Sequence, residues 1–349
     1  MNLSRVTIGD VARQAGVSKQ TVSRVINQHP DVADVTRVRV QQVVDTLGYQ
    51  PSSIARSLTS GRSQTLGVVG YGLEYFGTSR ILSGIEQEAN RLGYIVLLCL
   101  VRSPEAHDTQ KFFEKLLALH VNGIIWAAPE IGTNRSWIDD AGQSIPVPVV
   151  HLSTRPRPGQ LVVNIDNRRG AFDATSHLLD QGHREVGIIT GPLNWWDALQ
   201  RRLGWEDALN QAGIVADETM IAEGDWSAAS GERAFGQLLE QNAQLSAVFA
   251  CNDQMALGVI RAAHAMNRRI PQDLALVGFD DIPESAYYTP ALTTIHQDVV
   301  AVGRRSVNAF AHLFDRQEVP APVGIDSELI STELVIRESS VIGSRSTDQ

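Results

Sequence analysis

The sequence predicts an all-helical N-terminal domain, a short linker, and a larger α/β domain of two lobes built on parallel sheets. Apolar residues recur at helical spacing through the first fifty positions. From Gln64 onward, short apolar runs alternate with amphipathic helical stretches. Charge divides at the same place: residues 1–62 hold eight Lys/Arg and four Asp, whereas the whole chain is −9. A small basic module therefore precedes an acidic body, and such a module holds phosphates while the body repels them.

With 349 residues, there is room for two or three domains. The 43% hydrophobic and 20% charged composition is that of a soluble globular protein. Apolar runs such as YIVLLCLV have strand length, short of the roughly 20 residues that span a bilayer, so no membrane partner is expected. The start MNLSRVTIGD lacks the apolar core of a signal peptide. Cys99 and Cys251 form neither a disulfide framework nor a metal-type spacing. These features predict a cytoplasmic protein with buried, reduced thiols, no metal and no cofactor.

The helical elements follow in order. Thr7 and Asp10 give a capping-box-like start, with Ile8, Val11, Ala12 and Ala15 on one face and Gly16 as the break. Ser18 can cap a second helix that buries Val22, Val25 and Ile26. A third runs from Asp34 to Leu47, with Val40, Val43, Val44 and Leu47 inward. Pro51 and SSIARSLTSGRS form a junction, and a helix of that length is marginal alone in water. Then come TLGVVG, YIVLLCL, GIIWAA, VPVVHL, EVGIITG, LSAVFAC and LALVGF as strands, too many for one compact sheet. The polar tail SSVIGSRSTDQ is expected to fray.

Helix, glycine turn and helix within about twenty residues is the helix-turn-helix pattern. The second helix, KQTVSRVIN, leaves Lys19, Gln20, Thr21, Ser23, Arg24 and Asn27 off its buried face. Gln and Arg can read adenine and guanine edges, while Thr, Ser and Asn suit phosphates. By pattern alone, a helical hairpin with a solvated face remains the alternative.

In parallel α/β sheets ligands gather at the carboxyl ends of strands. Tyr71, Ala127, Ser153, Asn252 and Asp280 follow apolar runs. Asn252 and Asp280 read equally well as helix N-caps. In GDWSAASG, Ser227 can cap the helix through ERAFGQLLEQ. A hydrophobic staple from Trp226 would need an apolar N4 residue, but Gly231 stands there, so Trp226 needs another partner. No His/Cys cluster or nucleophile arrangement is present, and Asp280 has no evident partner carboxylate, so an enzyme is not expected.

The run VTIGDVARQAGVSKQTVSRVINQ, followed by TRVRVQQVVDTLGYQPSSIARSL, resembles the lac/galactose repressor family of bacterial transcription regulators. The resemblance continues through ACNDQMALGVIRA, LVGFDDIPES and PALTTIHQD, nearly the whole chain. It implies a helix-turn-helix domain over 1–50, a hinge helix over 51–63, and a periplasmic-binding-protein-like effector and dimerisation domain over 64–340. The first lobe would span about 64–163 and 297–323, the second about 164–294 and 324–340, with a flexible tail over 341–349. It further implies base contacts from Lys19, Gln20 and Arg24, and backbone positioning by Ser18, Thr21, Ser23, Asn27 and Thr36. Thr7 and Ala55 complete the DNA-facing set. Leu58 would wedge into the minor groove at the operator centre, with Ile54 against its symmetry mate. Two heads on half-sites of a pseudo-palindrome imply a homodimer. Asp31, where some relatives carry a basic or neutral residue, disfavours a phosphate contact there.

For the effector, the resemblance implies Arg201, Trp226, Asn252, Asp280 and Gln297, with Trp226 as a platform at the cleft mouth. That chemistry suits a saccharide: a carboxylate accepts from vicinal hydroxyls and an aromatic face packs on C–H groups. Ser153 replaces an aspartate of the lac repressor, and Ala127, Ile165 and Val299 replace larger or more polar residues. Tyr71, Phe76, Trp195 and Trp196 are aromatic wall or core. Arg201 could instead hold a phosphate or carboxylate, and no strong purine signature is present. The expectation is a repressor of sugar-utilisation genes released from its operator by a saccharide, galactoside-like first. The alternatives are a co-repressor-dependent regulator with a non-galactoside ligand and, from another class, a sugar-binding transport protein. The tail after Val335 lacks a leucine heptad, which favours a dimer over a tetramer.

Overall fold

The computed structural model describes residues 6–49, 63–102, 109–131, 134, 145–315 and 326–341. Ile54, Ala55 and Leu58, and the hinge and tail expectations, lie outside the described residues. The chain divides into two compact units, Met1–Gln64 and Thr65–Gln349.

The first unit holds helices α1 (Ile8–Ala15), α2 (Lys19–Ile26) and α3 (Asp34–Leu47). Thr7 and Asp10 close a full capping box on α1, and Gly16 ends it in the left-handed conformation at φ 68°. Ser18 caps α2, its hydroxyl accepting from the Thr21 amide at 3.0 Å. Val11, Val22 and Val40, one from each helix, are fully buried where the three meet. Arg37 donates to the His29 carbonyl at 2.8 Å and so pins the loop between α2 and α3.

The second unit contains two sheets. The first, ordered β11-β5-β4-β3-β1-β2, takes β1 (Thr65–Gly70), β2 (Ile95–Leu100), β3 (Gly123–Ala127), β4 (Val149–Leu152), β5 (Leu161–Ile165) and β11 (Asp326–Ile330). Between these strands run α4 (Phe76–Arg91) and α5 (Thr109–Ala118). The second, ordered β12-β10-β9-β8-β6-β7, takes β6 (Val186–Thr190), β7 (Ile221–Glu223), β8 (Ala247–Ala250), β9 (Ala275–Asp280), β10 (Thr293–Gln297) and β12 (Thr332–Val335). Its helices are α6 (Asn167–Asp180), α7 (Trp196–Gln211), α8 (Ala228–Gln241) and α9 (Asp253–Ala265), while α10 (Val299–Asp315) packs on the first lobe.

The chain crosses between lobes three times: after β5, after β10, and between β11 and β12. The last crossing corrects the expected boundary near residue 323, because residues 326–330 pair in parallel with β5 and belong to the first lobe. The pairing offers little apolar signal, since β11 reads DSELI. All seven apolar runs form strands, but β5, β7, β10, β11 and β12 were not among them. β12 departs from the parallel pattern, pairing antiparallel with β10. Helices α4 and α10 approach through a reciprocal glycine pair. A Cβ at Gly84 would lie 2.2 Å from the Val300 carbonyl, and one at Gly303 2.2 Å from that of Ile81. This close approach seats Val299 and Val302 against the interlobe cavity.

A candidate effector cleft and DNA-reading face

On the first unit, Lys19, Gln20, Arg24 and Asn27 are exposed along α2, as a reading surface requires. The Lys19 stem lies over Gly9, where an added Cβ would meet its Cε at 3.3 Å. Ser18 and Thr21 share a 2.9 Å hydrogen bond, and Asn27 donates to Ser23 at 3.4 Å. Thr7 is committed to its capping box, and Thr36 lies half-buried in the first turn of α3. Asp31 pairs with His29 at 3.3 Å.

In the second unit, one cavity is lined by both lobes. It gathers Phe76, Ser153, Arg201, Trp226, Asn252, Asp280 and Gln297 from the expected set. Tyr71 does not line it. Its ring instead backs those of Tyr75 and Trp195, with centroids 6.2 and 6.0 Å away.

The strand-end geometry explains the convergence. Asp280 is the last residue of β9 and Gln297 the last of β10; Gln297 Nε2 donates to Asp280 Oδ1 at 2.5 Å. Arg201 Nη1 lies 3.6 Å from the same oxygen. Its Nε donates to Asn167 Oδ1 at 2.7 Å, and its Nη1 also donates to the Cys251 carbonyl. The guanidinium stacks on Phe279, 3.7 Å from the ring centroid. Burial pushes the Asp280 carboxyl up to about 8, outweighing the attraction of Arg201. Asp253, also buried, is raised to about 6 despite accepting from Ser285, Thr294 and the Ile282 amide.

Asn252 resolves both ways. Its Oδ1 caps α9 by accepting from Met255 N at 2.8 Å, and its Nδ2 donates to the Trp226 carbonyl at 3.0 Å while the residue lines the cavity. Asp280 caps no helix; the short 3₁₀ turn that follows has Ile282 at its N-cap position and no side-chain cap.

Trp226 corrects the mouth-platform expectation. It is only 8% exposed, a part of the cavity's floor. The indole fits because residue 191 is glycine: a Cβ there would lie 2.1 Å from Trp226 Cζ2. Its Nε1 is buried without a hydrogen-bond partner among the described residues. Ser153, Trp226 and Asp280 all hold positive φ, at 50°, 73° and 117°. Non-glycine residues pay for that conformation, and such strain concentrates at functional sites.

Sequence reasoning missed Asn167 and Asp197. Asn167 bridges Asp197 and Arg201, donating to Asp197 Oδ1 at 2.9 Å while accepting from Arg201. Burial raises the Asp197 carboxyl against the pull of Arg201, Ser153 and Asn167. Asp197 lies well beyond the end of β6, at the start of α7, where the strand-end rule does not reach; Asn167 follows the apolar run LVVNI of β5, and applying the rule there would have pointed near it.

A helix-turn-helix head and a two-lobed body around a polar cleft define the class of a DNA-binding regulator with a ligand-binding body. A model of bacterial regulatory proteins of the lacI family matches residues 7–52, and a periplasmic binding protein-like domain matches residues 175–340. The chain is 33% identical to an HTH-type transcriptional repressor PurR of Haemophilus influenzae, across 95% of this chain and 98% of that protein. It is 35% identical to the repressor of that name from Vibrio atlanticus, across 89% and 91%. The lac repressor dimer bound to operator and the anti-inducer ONPF superposes with TM-score 0.87 at 32% identity, covering 97% of this chain and all of that one. The complex of the regulator CelR with cellobiose superposes at 0.71 and 29% identity, covering 96% and 100%. This chain belongs to the lacI family and is a DNA-binding transcriptional repressor by class. No helix among the described residues is long and apolar enough to cross a membrane.

Proposed function

We propose that this repressor binds a pseudo-palindromic operator as a homodimer in the cytoplasm and is released by an uncharged saccharide, a galactoside-like sugar first. The cleft carries the reading. Its charged lining is one guanidinium, Arg201, with two carboxylates, Asp197 and Asp280. The arginine's Nε and Nη1 already serve Asn167 and Cys251, which leaves Nη2 as its main donor for a ligand oxygen. Buried carboxyl groups, which donate as well as accept, beside aromatic surface suit a ligand rich in hydroxyls and C–H faces. The cellobiose complex of a structural relative points the same way.

DNA contacts are assigned to Lys19, Gln20 and Arg24 at base edges, and to Thr7, Ser18, Thr21, Ser23, Asn27 and Thr36 near phosphates, with Ile54, Ala55 and Leu58 at the operator centre. Dimerisation is supported by the edge strand β2, which exposes Ile95, Leu98 and Leu100, an apolar edge of the kind a second copy covers. Induction requires the sugar to bind the released state more tightly than the DNA-bound one.

A second reading, a co-repressor with a planar heterocyclic ring, is favoured by the faces of Phe76, Trp195 and Trp196 in the lining. A thermal-shift screen separates the two. Stabilisation by one neutral saccharide, with none by nucleobases or sugar phosphates, supports the first; stabilisation by a nucleobase alone overturns it.

A further inference from the structure

Three consecutive residues, Trp195, Trp196 and Asp197, stand where α7 begins in the second lobe, and each meets the first lobe. The Trp195 ring makes edge contacts with Tyr71 and Tyr75, centroids 6.0 and 5.7 Å away. The Arg155 guanidinium carbon sits 5.9 Å from the Trp196 ring centroid. Ser153 and Asp197 line the same cavity from the two lobes, and the Ser153 hydroxyl pulls against the burial that raises the Asp197 carboxyl. The partners come from two first-lobe segments, the loops after β1 and after β4. None of these seven residues lies on a strand that crosses between lobes, so the contacts are separate from the covalent hinge. All three α7 residues also line the cavity.

We propose that Trp195-Trp196-Asp197 is an interlobe clasp that holds the cleft closed before any effector arrives. Its chemistry explains its reversibility. Edge-packed aromatics, a cation beside a half-buried indole and a single hydroxyl–carboxyl contact are each weak, so they can open reversibly. An effector entering this cleft must fit beneath the clasp or displace Ser153 from Asp197. The clasp thus sets both the resting closure of the lobes and the size of molecule admitted.

The test is a distance measurement on the full-length, effector-free protein. Spin labels on cysteines at Leu119 and Val215, exposed residues of the first and second lobe, report lobe separation. The native Cys99 and Cys251 are buried and stay unlabelled. A narrow distribution is expected for the native chain. The double variant Trp195→Ala/Trp196→Ala shifts it to longer, broader distances; Arg155→Ala and Ser153→Ala do so less; Trp195→Phe retains the native distribution by keeping an aromatic edge. Arg155 is exposed and Ser153→Ala is a minimal change, so both report even if the double variant fails to fold. Distributions that superpose on the native one in every folded variant overturn the clasp, as does a Trp195→Phe variant as open as the double variant. Because no effector is used, failure of the saccharide reading leaves this result independent.

Discussion

Gln297 Nε2 donates to Asp280 Oδ1 across 2.5 Å, tying the residue where the chain leaves β10 for the first lobe to the carboxylate that ends β9 in the second. The protonation and ligation of Asp280 are therefore felt at an interlobe crossing.

Asp280 makes stability depend on pH. Its folded value is raised from 3.8 to about 8, so its contribution is full at low pH and is lost as pH rises toward 8. Asp253 acts the same way but is finished near 6. His177 and His183 are lowered by burial, so their contribution is lost only as pH falls below 6.5. Between 6.5 and about 8 the slope therefore comes from Asp280 together with Asp197, which burial raises in the same cavity. The Tm of effector-free protein should fall across that window, and Asp280→Asn should flatten the profile. A native Tm that rises there contradicts this.

Gly191→Ala should disable the cleft floor. The added methyl would collide with the Trp226 ring, a clash of a kind that costs about 1–3 kcal/mol. Tryptophan emission should change and effector binding should be lost, while operator binding by the head persists. An unchanged emission spectrum with native effector affinity refutes the packing argument.

Trp226→Ala should weaken saccharide binding roughly tenfold or more, each tenfold being about 1.4 kcal/mol. Operator affinity without effector should stay native. Isothermal titration with the stabilising saccharide measures this; equal affinities in variant and native protein remove Trp226 from the site.

Arg24→Ala should cost about 1–3 kcal/mol on operator DNA and far less on random duplex. Fluorescence anisotropy on both duplexes checks it. Equal losses on the two assign Arg24 to phosphate contact alone.

How much of this was legible depends on how locally each feature is encoded. The capping box of Thr7 and Asp10 and the cap at Ser18 are written in adjacent residues and formed as read. Six of the seven apolar runs declared their strands because each is buried on both faces, as in β6 and β9, whereas β2 is apolar yet partly exposed at the sheet edge. Strand β11, reading DSELI, carried too little apolar signal, and its misplacement moved the third crossing. In the cleft, residues at strand ends such as Asn252 and Asp280 could be listed, but not how sequence-distant groups share atoms. Arg201 reaching Asn167 depends on how α6 and α7 pack within the second lobe, and Asp197 facing Ser153 on how the lobes meet, neither of which a local pattern encodes. The burial of Trp226 was hidden for the same reason: it rests on Gly191, thirty-five positions away.

The most direct test measures operator occupancy by the full-length protein while the saccharide found by thermal shift is titrated in. The account predicts a salt-dependent, sequence-specific complex that dissociates as the sugar saturates, with an Asp280→Ala variant remaining bound at all sugar concentrations. An operator complex that the sugar strengthens or leaves unchanged contradicts it.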